Sequence, residues 1–450
     1  MKKTYLTSMI LAAVITASMT GCGNIISAYN TAATDDTSSG ISYIRADDTA
    51  SAAETRPERA SIETVDTPAA ADTDQEIYSA GDEDISAEET TTVQTAELPE
   101  NTAAEDIFTD RDLEQTADTS ESQSITVSDN ETIDITEEGV YVINGTAENC
   151  TIWVNADKNA KVQLVLDGVS ITNSDFPAIY VVSADKVFVT AADSENTFTV
   201  SGEFKPDGET NTDAVIFSKD DLVLNGTGIL NVTSYYGNGI TCKDDMKITG
   251  GTYNIRSELD AFEANDSVSI SDGTFNITTN KDGFHCENDE LEGTVTITGG
   301  TFDIKAVSDG IQACALLQID GGEFDITAAE GLEATYILIN DGNITINASD
   351  DGINASANTN ACETAIEING GYLNVTVGQG DTDAIDSNGS IYVNGGTINV
   401  TAQMSSFDCD GQTEFNGGTI IINGQEVSEI PQSMMGGGMR GGMGGGRRGF

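Results

Sequence analysis

Positive charge is scarce in this 450-residue chain, where 19 Lys and Arg stand against 75 Asp and Glu for a formal net charge of −56. A surface of that sign repels nucleic acid and other polyanions, so none is held by direct charge attraction. There is one histidine, and no Cys/His set at ligand spacing accompanies it. This argues against a zinc centre and against Ser-His-Asp or Cys-His nucleophiles. The seven cysteines form no CxxC framework, and the uncharged stretch from Thr4 to Thr20 is too short to span a bilayer. Helical spacing of apolar residues is also missing.

In its place is a strand-type phrase that recurs through the second half. It reads ITGGTYNI from Ile248, ISDGTFNI from Ile270, ITGGTFDI from Ile297 and IDGGEFDI from Ile319, then continues from Ile339, Ile368, Val393 and Phe415. Its second glycines, Gly251, Gly273, Gly300, Gly322, Gly342, Gly371, Gly396 and Gly418, are spaced 20 to 29 residues apart. A period of that size with two-residue alternation predicts a solenoid. The expected fold is all-β, a right-handed single-stranded parallel β-helix. In each coil one strand enters the glycine corner, a second leaves it and a third follows a loop of variable length.

The third strand carries a second phrase: acid, small residue, apolar residue, polar residue, small residue. Examples are Asp260-Ala261-Phe262-Glu263-Ala264, Asp282-Gly283-Phe284-His285-Cys286, Asp309-Gly310-Ile311-Gln312-Ala313 and Glu330-Gly331-Leu332-Glu333-Ala334. Alternation puts Phe262, Phe284, Ile311, Leu332, Ile353, Ile385 and Phe407 inward. Glu263, His285, Gln312, Glu333, Asn354, Asp386 and Asp408 are then expected to face solvent. Stacked coils lie about 4.8 Å apart, and calcium holds oxygen ligands at about 2.3–2.6 Å. One ion therefore fits between carboxylates on neighbouring coils. The candidate calcium ligands are Asp260, Glu263, Asp282, Glu287, Asp309, Glu330, Glu333, Asp351, Asp383, Asp386, Asp408 and Asp410. The alternative for each leading Asp is that it only sets a turn before the small residue.

The flanks suggest a compartment. Lys2 and Lys3, the uncharged run and Met19-Thr20-Gly21-Cys22 have the layout of a secretory signal ending in a lipobox, with Cys22 as the lipidated residue. Residues 23–123, rich in Ala, Thr, Ser, Asp and Glu, read as a disordered acidic stalk. Residues 124–427 read as the β-helix, with 124–220 as cap and opening coils, and 428–450 as a Gly/Met/Arg-rich tail. The chain is thus expected to be a monomeric extracytoplasmic lipoprotein at a bacterial cell surface, touching membrane only through its anchor. Cys242, Cys286 and Cys409 fall at or near the small position of the third strand, with Cys314 and Cys362 close by, where buried free thiols are the default.

The runs KVQLVLDGVSITNSDFPAIYVVSADKVFVTAADSENTFT from Lys161, AVIFSKDDLVLNGTGILNV from Ala214 and NGITCKDDMKITGGTYNI from Asn238 closely resemble a family of secreted bacterial carbohydrate-binding proteins. The resemblance implies a parallel β-helix similar in architecture to pectate lyases, polysaccharide as partner and calcium bound along the helix. At Asn238-Gly239-Ile240-Thr241-Cys242 the chain departs from the family, which usually has an acid before the Gly and a His after the Ile. That departure puts a ligand from this coil in doubt.

Calcium would reverse the local charge and bridge protein carboxylates to an acidic polysaccharide such as polygalacturonate. A cellulose-like glucan would instead need aromatic platforms, for which Trp153, Tyr235 and Tyr236 are the candidates, Trp153 alternatively lying under a cap. A polysaccharide lyase is the rival reading, with Lys281 as the base beside the metal. A third reading is a structural or adhesive surface protein whose calcium only staples coils.

Overall fold

The computed structural model describes residues 107–288, 292–380 and 382–431. Cys22, most of the stalk and the tail from residue 432 lie outside the described residues. Those described form a 24-stranded sheet and a 12-stranded sheet. One coil shows the plan: Thr294–Ile297 enters the corner, Thr301–Lys305 leaves it, and Asp309–Ala313 crosses to the smaller sheet. Entry and exit strands of successive coils pair in parallel within the large sheet, and third strands pair in parallel within the small one. The result is the parallel β-helix expected from the repeat.

Register follows the phrases. Ile270, Ile297, Ile319, Ile339, Ile368 and Val393 stack in one column. Phe275, Phe302 and Phe324 make a second, with ring centroids 4.6 and 4.5 Å apart and nearly parallel planes. Phe262, Phe284, Ile311, Leu332, Ile353, Ile385 and Phe407 make a third, on the small sheet. All are buried, so the core is a set of like-on-like columns running along the axis.

The corner explains its glycine. Gly251, Gly322 and Gly418 have φ of 96°, 110° and 88°, a region costly to residues with a Cβ. Gly322→Ala is expected to destabilise the fold by about 1 kcal/mol or more, read as a lower urea midpoint at unchanged m-value. The small residue of the second phrase has a different cause. A Cβ on Gly283, Gly310 or Gly331 would sit 2.4–2.5 Å from the next coil's carbonyl oxygen.

The folded part reaches back beyond Ser124, correcting the stalk boundary at residue 123. Residues 107–115 form a strap against the large sheet. Asp112 is fully buried, with Lys186 and Lys247 at 3.6 and 3.7 Å from its carboxylate. Arg111 lies 4.4 Å over the Phe188 ring. Composition marked this stretch as stalk because its few anchoring residues are polar. At the other end, Asn423 and Gly424 have φ of 51° and 78°, as a two-residue hairpin turn requires. Gln425–Val427 folds back antiparallel on Thr419–Ile422 and closes the last coil.

Candidate functional site

The leading acids of the third strand have a role that neither sequence reading anticipated. The amide of Asp282 donates to Asp260 Oδ1 at 3.1 Å, that of Asp309 to Asp282 Oδ1 at 2.9 Å, and that of Asp383 to Asp351 Oδ1 at 2.7 Å. Asn238, at the departing position, keeps the pattern by accepting from the Asp260 amide at 2.9 Å. Each side chain thus ties its coil to the next, and Asp260, Asp282 and Asp309 are buried. The outward residues are less exposed than alternation predicted. Glu263, His285, Gln312, Glu333, Asp386 and Asp408 are half-buried and Asn354 is buried, because in-register side chains about 4.8 Å apart pack on one another.

Along this face the acids fall into groups that differ in how their charge is balanced. Nearest the N-terminus, Glu263 receives Lys243 Nζ at 2.7 Å and Thr241 Oγ1 at 3.0 Å, and also bonds Asn238. Beside it Asp260, Asp282 and His285 bring ligand atoms within 4.8 Å of one another. Lys281 Nζ donates to Asp260 Oδ2 at 2.8 Å, and His285 Nδ1 lies 3.2 Å from Asp282 Oδ2. Burial alone would lower the His285 pKa, but hydrogen bonds to Asp260 and Asp282 outweigh it and raise it to about 10. For Lys281 too, burial is outweighed, chiefly by the bond to Asp260, and its pKa is raised. Exposed Glu287 faces His285 Nε2 at 3.4 Å. Two cations therefore serve this group, and neither is a free base at neutral pH.

The next group has no such cation. Ligand atoms of Asp309, Glu330 and Glu333 lie within 4.8 Å of one another. Amide side chains donate to the two glutamates, Gln312 to Glu333 at 3.0 Å, Asn358 to Glu333 at 3.3 Å and Asn354 to Glu330 at 2.8 Å, while Asp309 bonds Glu333 itself. Among the described residues no Lys, Arg or His pairs with these three. Burial pushes the Asp309 pKa up, as do Asp282, Glu330 and Glu333. Glu330 is raised to about 7, by burial first and then by Glu333 and Asp351, against the bond from Asn354. Further along, Asp351, Asp383, Asp386, Asp408 and Asp410 make an acidic stretch. There burial and these neighbours raise Asp386 to about 7.

A third acid set was missed by the sequence reading. Asp221, Asp244 and Asp245 meet at the corner entering the large sheet. Lys186 reaches Asp221 at 3.5 Å, and burial followed by Asp221 and Asp245 raises Asp244 to about 6. The available signal was a repeated Lys-Asp-Asp, Lys219–Asp221 and Lys243–Asp245, one coil apart.

The aromatic candidates divide. Trp153 lies face to face with Phe176, centroids 5.9 Å apart, and meets the edge of Tyr180 at 4.7 Å, so one face of its ring is covered. Tyr235 and Tyr236 are 54% and 53% exposed on the loop that leads to Asn238 and the smaller sheet.

A family model for carbohydrate-binding domain-containing proteins matches residues 129–384 and 334–437. A carbohydrate-binding domain-containing protein of Acetivibrio thermocellus is 36% identical over 136 residues, 30% of this chain and 47% of the relative. The chain thus spans about half the length of that relative. Among solved structures, a polysaccharide lyase-like protein from C. thermocellum is 22% identical with a TM-score of 0.36, covering 69% of this chain and 99% of that one. Matched over more than half its length, the chain belongs to the family of carbohydrate-binding domain-containing proteins.

Proposed function

We propose that the chain is an extracytoplasmic, lipid-anchored binding protein whose outward acids on the smaller sheet hold calcium and, through it, an acidic polysaccharide of the polygalacturonate kind. Family membership supports carbohydrate as the ligand. The observation that carries the reading is the group of Asp309, Glu330 and Glu333, three carboxylates gathered within 4.8 Å without a cation. Its chemistry fits calcium. The donors are all hard oxygens, and two ligands on opposite sides of a calcium ion are separated by about 4.6–5.2 Å. Asn354, bonded to Glu330, also keeps a buried Oδ1 with no hydrogen-bond partner among the described residues. A bound divalent cation would neutralise the group and turn its surface attractive to uronate carboxylates.

The same geometry speaks against the lyase reading. Lys281, the one candidate base, is held by Asp260 in its protonated form. The test is calorimetric titration of the full chain with polygalacturonate, with calcium and then with chelator, while following absorbance for unsaturated products. Saturable heat that needs calcium, without new absorbance, is the expected result. Binding undiminished by chelator would overturn the calcium bridge, and rising absorbance would restore the lyase.

A further inference from the structure

The link from a third strand to the next entry strand is short in most coils and longest in one. Asp309–Ala313 is followed by Leu316–Ile319 and Glu330–Ala334 by Tyr336–Ile339, whereas the whole of residues 356–364 separates Ile353–Ala355 from Ala365–Ile368. This extra chain folds back over the coils before it. The amides of Asn358 and Thr359 each donate to Thr335 Oγ1 at 3.1 Å, and Asn358 Nδ2 donates to Glu333 Oε1 at 3.3 Å. Cys362 Sγ donates to the Ala315 carbonyl at 3.5 Å. That contact crosses two coils, since Leu316, Tyr336 and Ala365 stand in register on successive turns. The Thr335 hydroxyl in turn donates to the Cys314 carbonyl at 2.8 Å, so one side chain lies between the loop and the backbone of Cys314.

The return of the loop brings Cys362 to Cys314. Coils stack about 4.8 Å apart, so residues held in strands two coils apart are separated by about 10 Å. A disulfide needs Cα atoms about 4.4–6.8 Å apart. Cys362 escapes that limit because it sits on the loop, against the carbonyl of the residue that follows Cys314. Its side chain packs with Leu316, Tyr336, Leu338 and Ala365 in a small cluster outside the main core. Both thiols lie just beneath the surface, 4% and 6% exposed, while Cys150, Cys242 and Cys286 are sealed in the core at 0%. Burial raises the pKa of both, and Cys314 adds to burial in pushing the Cys362 thiol up to about 11.

We propose that Cys314 and Cys362 are a disulfide-forming pair whose bond clasps the 356–364 loop to the coil of Cys314. The clasp needs neither calcium nor carbohydrate, so it stands apart from the binding reading above. Its oxidant is a disulfide, R–S–S–R, of the exchange-active class that a secreted chain meets outside the cytoplasm. One thiolate of the pair attacks a sulfur of the oxidant and expels R–S⁻. The second thiolate then attacks the chain's own sulfur in the mixed disulfide and expels the other R–S⁻. Two electrons pass to the oxidant and the two thiol protons end on the leaving groups, giving one S–S bond and two R–S–H. The bond fixes the loop at the point where Asn358 reaches Glu333.

The test uses the full chain, reduced, freed of reductant and incubated with glutathione disulfide. Remaining thiols are alkylated with N-ethylmaleimide in denaturant, and the chain is cleaved at acidic residues and mapped by mass spectrometry. The expected product is the Cys314 peptide joined to the Cys362 peptide with the loss of two hydrogens, while Cys150, Cys242 and Cys286 are recovered alkylated. Oxidation should also slow hydrogen exchange across residues 356–364 by about tenfold or more, and should leave it unchanged in Cys362→Ser. Glutathione left on either cysteine without transfer to the other, a bond from either to a different cysteine, or wild-type exchange indifferent to oxidation would each overturn the clasp. The wild-type map decides the matter without any variant if Cys362→Ser fails to fold.

Discussion

Replacing Asp309 by Asn and Glu330 by Gln in one chain will cut calcium-supported polygalacturonate binding by about tenfold or more and will stabilise the calcium-free protein. Both effects have one origin. In the absence of a cation the three carboxylates repel one another in a half-buried setting, and Asp309 and Glu330 have folded-state pKa values raised above their unfolded ones. A raised acid binds protons more tightly in the folded state, so its contribution is favourable at low pH and is lost as pH rises through the folded value. For Glu330 that window runs from the ordinary carboxylate range to about 7. Chelated wild-type protein should therefore melt at lower temperature at pH 8 than at pH 5, and the double amide variant should show a flatter profile. Calcium reverses the sign, because the ion binds the deprotonated group and its stabilisation grows with pH. Scanning calorimetry at several pH values, with calcium and with chelator, reads all of this. A calcium-free melting temperature that rose from pH 5 to pH 8, or a wild-type chain indifferent to calcium, would remove the basis for the site.

The largest purely structural effect is expected at the aromatic column. Phe302 lies between Phe275 and Phe324, fully buried, with the Phe284 ring set edge-on to it at 6.0 Å between centroids. Phe302→Ala should cost about 3–5 kcal/mol, the range for deleting a buried ring where the surroundings relax only partly. Here relaxation is restricted, since both neighbours are held in register by strand pairing. Because contacts in a solenoid run between neighbouring coils, the loss should loosen adjacent coils most and leave distant ones nearly as protected. Hydrogen exchange would show a gradient of lost protection centred on Thr301–Lys305. Uniform loss across all coils would argue for a fully cooperative unit instead.

The architecture was legible because each of its causes is local and repeated. Gly251 and its equivalents announce corners, the alternation in ITGGTFDI announces a strand that is half core, and the spacing announces coils. The second phrase gave the inward column from Phe262 to Phe407 for the same reason. What it could not give is how outward charges balance, since that depends on residues from different coils. Asp260 and Asp309 occupy the same place in the phrase. Yet Lys281 and His285 serve Asp260, whereas only amides and other acids surround the Asp309 group. Trp153 was ambiguous on similar grounds, because Phe176 reaches it from a loop with no repeat. The strap was read as stalk because Asp112 is buried by lysines on two separate coils, Lys186 and Lys247.

The antiparallel Gln425–Val427 hairpin has a consequence for assembly. A stack of parallel coils ends in a row of unpaired amides and carbonyls with the polarity of every coil before it, a template on which a second molecule could continue the winding and so start a fibre. A strand of reversed direction at that end offers the wrong hydrogen-bonding pattern to an incoming parallel coil and so disfavours such growth. Removing residues 423–431 should therefore convert discrete particles into end-to-end oligomers, visible as concentration-dependent mass in light scattering.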